Sequence, residues 1–130
     1  MKILGIDFGL KKIGLALGEG QLAQPFDVLK IKKNPLRILP RLVSLCQQKE
    51  VEKIVIGLPE TGLVKQIKEF GQELENLSGL PVFFHPETLT TQDALAKMKQ
   101  AGIRRKARQQ KEDACAAALI LQDWLDQINV

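Results

Sequence analysis

The sequence predicts an α/β fold, a five-stranded mixed sheet whose first three strands are antiparallel, with helices on both faces. Two observations carry this reading. β-rich runs crowd the first thirty residues without room for a helix between them, and thereafter apolar runs of strand length alternate with segments of helical periodicity. A chain of 130 residues with 45% hydrophobic content can fill one core, so a single domain spanning residues 1–130 is expected.

Residues 2–8 and 13–18 are β-rich and are separated by Gly9, Leu10, Lys11 and Lys12, the pattern of a hairpin with a short turn. A third strand is expected over 26–31, after Pro25. Asn34 and Pro35 offer a helix cap and first helical position, and Leu36, Leu39, Leu42, Val43 and Cys46 recur at helical spacing. Pro40 would remove one internal hydrogen bond and kink the helix or delay its start, so the helix is secure only beyond it. The run KIVIGL at 53–58 is nearly continuously apolar and closes on Gly57 and Pro59, as a strand covered on both faces would. Ile67, Phe70, Leu74 and Leu77 then form one helical stripe over 64–77, stopped by Ser78-Gly79. A strand follows at 80–85, and Thr90 or Thr91 can cap a short helix ending near Gly102. The last helix is expected over 110–128, with Asp113, Ala117, Ile120, Leu121, Trp124 and Ile128 on one stripe.

The formal charge is +4, which by itself says little about partners. Its distribution says more. From Lys99 to Lys111 there are six cations and no acid, a stretch that can face phosphates as readily as it can form a solvated face. Cys46 and Cys115 stand far apart among apolar or small residues and read as buried free thiols. No stretch is long and apolar enough to span a bilayer, so a cytoplasmic protein with no membrane partner is expected.

Asp7 shares a strand face with Ile3, Gly5 and Gly9, whereas Leu4, Ile6 and Phe8 share the other. An acid among glycines has space beside it for a ligand. Asp113, placed in the first turn of the last helix, continues inward through Ala117 and Ile120; alone, it could equally be an acid favoured by the helix dipole. Glu87 follows the strand at 80–85, at an edge where α/β proteins assemble their sites. Three acids from separate elements could hold a hard cation such as Mg²⁺ if the fold brings them together. His85, the only histidine, reads as a strand-end residue with a structural hydrogen bond, since no second histidine completes a metal site.

GIDFGLKKIGLAL, IVIGLP, ETLTTQDA and DACAAALILQDWLD follow one another from the first strand to the last helix. Together they resemble the four motifs of the YqgF/RuvX-type family, which is ribonuclease H-like and includes proteins described as pre-16S rRNA nucleases and Holliday junction resolvases. The resemblance implies a nuclease dependent on Mg²⁺ or Mn²⁺ that hydrolyses phosphodiester bonds in structured RNA such as pre-16S rRNA or in branched DNA. It implies Asp7, Glu87 and Asp113 as the catalytic and metal-binding acids, and Lys11 and Lys12 as the basic pair of the first turn. Arg104, Arg105, Lys106 and Arg108, in the cationic stretch, are the further candidates for holding nucleic acid. A monomer or weak homodimer is expected. Three departures from the family pattern stand out: Pro86 and Thr88 replace an acid and an arginine of the third motif, Lys12 replaces an arginine, and the loop after Pro59 is short. They leave open a catalytically weakened domain that binds nucleic acid in ribosome assembly or repair. Asp7-Phe8-Gly9 with Gly14 also resembles the phosphate-binding hairpin of actin-like kinases, but those proteins surround a nucleotide with two such domains.

Overall fold

The computed structural model describes residues 1–87 and 105–128, and the side chains of 1–87 and 114–128. Strands β1 (Lys2–Phe8), β2 (Lys12–Glu19) and β3 (Leu22–Lys30) form the antiparallel meander. A 3₁₀ turn (Pro35–Ile38) and helix α1 (Leu39–Gln48) lead to β4 (Val51–Leu58), which pairs parallel to β1. Helix α2 (Val64–Ser78) leads to β5 (Val82–Pro86), parallel to β4, and helix α3 (Arg105–Ile128) ends the described chain. The sheet order is β3-β2-β1-β4-β5. The carboxyl ends of β1, β3, β4 and β5 therefore lie along one edge.

Strand alternation sorts the core onto two faces. Leu4, Ile6, Phe8, Ile54 and Ile56 meet Leu42 of α1 and Phe70 of α2 on one side. Ile3, Ala16 and Val55 meet Ala117, Ile120 and Leu121 of α3 on the other. Gly5 lets α3 lie close on the sheet: a Cβ there would stand 2.8 Å from Leu121 Cβ and 3.1 Å from the Ala117 carbonyl oxygen.

Several boundaries differ from the sequence reading for physical reasons. β3 starts at Leu22 rather than at 26 and ends at Lys30. Pro25 is tolerated there because β3 is an edge strand and the register shifts between Leu15 and Ala16, pairing Leu15 with Asp27 and Ala16 with Pro25. Pro40 sits in the first turn of α1, where its missing N–H costs nothing, so Leu36 belongs to the 3₁₀ turn and is exposed. β4 begins two residues earlier, at Val51, and β5 covers Val82–Pro86 rather than 80–85 because Leu58 pairs with Pro86. Leu77 and Ile128, read as core, are exposed at the ends of their helices. Cys46 is buried, which pushes its thiol up to about 11; Cys115 is only partly buried. The helix expected from Thr90 or Thr91 to near Gly102 lies outside the described residues.

Helix α3 carries the largest correction. It begins at Arg105, five residues before the expected start. Asp113 is therefore its ninth residue and does not open it, which removes the helix dipole as the reason for an acid there. Arg105, Lys106 and Arg108 fall in the first turns of this helix.

Candidate active site

Asp7 is the penultimate residue of β1 and partly exposed. Its register partner on β2 is Gly14, and on the β4 side Ile6 pairs with Ile56, so the next residue along β4 is Gly57. The carboxylate thus rises from the α3 face of the sheet with glycine on both neighbouring strands. Gly57 is buried under Ile120, whose Cδ1 would be 2.5 Å from an added Cβ.

Glu87 approaches Gly57 from the β5 side. Its backbone N–H donates to the Leu58 carbonyl at 3.1 Å, prolonging the β4–β5 ladder by one step. Alternation from Phe83 and His85 puts its side chain on the α3 face, and its Oε1 stands 3.4 Å from where a Gly57 Cβ would be. Gly57 is what leaves that room. Burial pushes the Glu87 carboxyl above its ordinary value, since a partly desolvated carboxylate is costly to ionise.

His85 is buried between these elements, two residues before Glu87 and paired in register with Gly57. Its Nε2 lies 2.6 Å from Asp123 Oδ2 of α3. Two residues earlier on β5, Phe83 packs on Trp124 with ring centroids 5.5 Å apart. The histidine thus has the structural hydrogen bond its sequence position suggested, and it ties β5 to α3 beside Glu87. Asp123 was not foreseen as its partner: the two stand 38 residues apart, and no local pattern joins them.

Asp113 stands in α3 one turn before Ala117. The row through Ala117, Leu121 and Leu125 passes from Gly5 to Gly18, whose strand partner is Ile3. Helix α3 therefore runs opposite to β1, and the turn holding Asp113 is displaced towards the carboxyl edge. The side chain of Asp113 is outside the described residues, and among the described residues no three metal-ligating side chains form a group. Asp7 and Glu87 are the two predicted acids whose side chains can be followed, and both belong to one face of one edge.

A family model described as RuvX, Holliday junction resolvase, matches residues 1–127. The chain belongs to the RuvX family. Among its relatives, a protein of Agathobacter rectalis named "Putative pre-16S rRNA nuclease" is 36% identical, with 99% of this chain and 97% of that protein covered. Proteins of the same name from Listeria monocytogenes (35% identical, covering 99% of this chain and 100% of the relative) and Rickettsia canadensis (33%, covering 98% and 88%) match similarly. Among solved structures, Thermus thermophilus RuvC in complex with a Holliday junction substrate superposes with a TM-score of 0.65 at 17% identity, covering 100% of this chain and 97% of that one. A second RuvC structure from T. thermophilus gives a TM-score of 0.57 at 19% identity, over 92% of each chain. This is the ribonuclease H-like fold expected from the sequence.

In this RuvX-family chain the first-turn cations flank the same edge. Lys11 is exposed in the β1–β2 turn, and its carbonyl accepts from Ile31 N–H at 2.8 Å. Lys12 opens β2 opposite Lys30. Arg105, Lys106 and Arg108 are placed by the start of α3, while Arg104 lies outside the described residues.

Proposed function

We propose that the protein is a metal-dependent nuclease that hydrolyses phosphodiester bonds, with Asp7, Glu87 and Asp113 as its metal-binding acids. The observation that carries this reading is the placement of the Asp7 and Glu87 carboxylates on the α3 face of the carboxyl edge, with Gly57, which has no side chain, on the strand between them. Carboxylate oxygens suit hard cations, and the half-buried Glu87, made costly to ionise by burial, is a group that a cation would favour. Asp113 supplies the third acid from α3. When bound, Mg²⁺ or Mn²⁺ would neutralise charge on the scissile phosphate and make water a stronger nucleophile.

The chain's own residues orient and neutralise. Glycine beside Asp7 lets a phosphate approach the sheet edge. The His85–Asp123 contact fixes β5 against α3, so the backbone that presents Glu87 is held from two sides. Lys11 and Lys12, with Arg104, Arg105, Lys106 and Arg108, supply positive charge that holds the phosphate backbone without reading sequence.

The substrate proposed is the 5′ region of precursor 16S rRNA in the cytoplasm, following the names of relatives that match over nearly their whole length. Branched DNA is the second reading, favoured by the family description. Among the described residues no helix is long and apolar enough to cross a membrane. The test is cleavage measured side by side on a precursor rRNA fragment, a four-way DNA junction and plain duplex DNA, with Mg²⁺ or Mn²⁺ and with EDTA. Metal-dependent cutting of the rRNA fragment above the other two is expected. Binding of all three with cutting of none would make the protein a nucleic-acid-binding domain, the reading to which Pro86 and Thr88 lend support.

A further inference from the structure

A second cationic feature lies at the same edge, away from the acids and away from α3. Between the end of β3 and the start of α1 is a groove of about 330 Å³ lined by Lys30, Lys32, Lys33, Arg37 and Arg41 around Asn34. The five cations are exposed, and among the described residues none takes part in an ion pair. From Val28 to Lys49 the chain carries six cations and no acid. Like charges gathered round one groove repel one another, and among the described residues no ion pair offsets that cost.

The backbone that carries the cations is held in place. Asn34 Oδ1 accepts from Leu36 N–H at 3.0 Å, and the Asn34 carbonyl accepts from Arg37 N–H at 3.0 Å. Ile38 and Leu39 are buried and anchor the turn to the core, while the Ile31 N–H bond to Lys11 ties the groove to the β1–β2 turn. Lys30 ends β3 at the edge where Asp7 nearly ends β1, two strands away, a span of roughly 10 Å. Successive phosphates of one duplex strand advance about 3.4 Å along the axis. A backbone crossing this edge would reach the groove within a few nucleotides of a phosphate at Asp7.

We propose that this groove is a second binding site for the phosphodiester backbone, gripping the substrate on the α1 side of the edge while α3 and the first turn hold it on the other. The proposal builds on the nuclease reading only for the position of the cleaved bond. Binding itself is tested in EDTA, where no cleavage is needed.

The experiment measures binding of a fluorescent RNA hairpin across a salt series for the wild type and a K33Q/R37Q variant, with K2Q/K65Q as the control. Lys2 lies at the opposite end of β1 and Lys65 on α2. Loss of two phosphate contacts should lower the logarithmic salt slope by roughly 1.5, with the control unchanged. Circular dichroism confirms folding, and inorganic phosphate is titrated in parallel as a small-anion competitor. An unchanged slope in folded K33Q/R37Q overturns the proposal. So does a groove that inorganic phosphate saturates and stabilises while the RNA slope stays at the wild-type value, since that describes a site for a small anion. A lowered slope in a protein that cuts no substrate would sustain the groove and defeat the nuclease reading, which separates the two.

Discussion

Glu87 is where position and chemistry are most tightly linked. Its carboxyl lies over Gly57, and burial raises its pKa. A carboxyl whose folded pKa is raised binds its proton more tightly when folded than when unfolded. Its contribution to stability is thus fully present below the ordinary glutamate range and is lost as pH rises through the folded value. At neutral pH the metal-free protein should carry a small penalty, so Glu87→Gln should raise the thermal midpoint in EDTA, and the gap should close as pH falls below about 4. Adding Mn²⁺ should stabilise the wild type and do much less for the variant. Thermal melts across pH, with and without metal, check all three; a variant less stable than wild type at neutral pH in EDTA would show that the Glu87 carboxylate has a stabilising partner of its own.

At the level of elements, the proposed site depends on the approach of α3 to the sheet, because Asp113 and Asp123 both ride on that helix. Gly5 and a run of alanines, Ala116, Ala117 and Ala118, permit this close contact. Gly5→Ala would press a methyl against Leu121 Cβ and the Ala117 carbonyl, and should cost about 1–3 kcal/mol in denaturant unfolding as helix and strand shift apart. Metal-dependent cleavage should fall more than that loss alone accounts for, because the helix carrying Asp113 moves. Undiminished stability would mean that the helix can slide without penalty. The strand pattern was readable from alternation: Leu4, Ile6 and Phe8 against Ile3, Gly5 and Asp7 divide in the structure as in the sequence. The start of α3 was not, because a polar, cationic segment has no apolar stripe to mark it. Pro40, read as kinking the helix or delaying its start, sits in the first turn of α1, where proline is harmless.

Across the whole molecule, sheet order makes the site, and sheet order is only partly visible in a sequence. The βββ start and the buried KIVIGL strand pointed to a mixed sheet, and the structure sets β4 directly beside β1, bringing Gly57 next to Asp7. The position of Glu87 above Gly57, the His85–Asp123 contact and the β3–α1 groove join residues distant in sequence. Of these, only the groove left a trace, in a run of cations without an acid from Val28 to Lys49. The groove sets five cations at the edge that carries Asp7, as the proposed grip on a phosphate backbone requires. The measurement that bears most directly on this account is Mn²⁺-dependent cleavage of the precursor rRNA fragment by wild type and by Asp7→Asn. The amide keeps the shape of the side chain and removes a negative ligand, so the variant should fold, bind the fragment with similar affinity and cleave it more than roughly 100-fold slower, beyond the 10–100-fold cost of losing a residue behind a metal ligand. A folded Asp7→Asn protein that cleaves at the wild-type rate would contradict it.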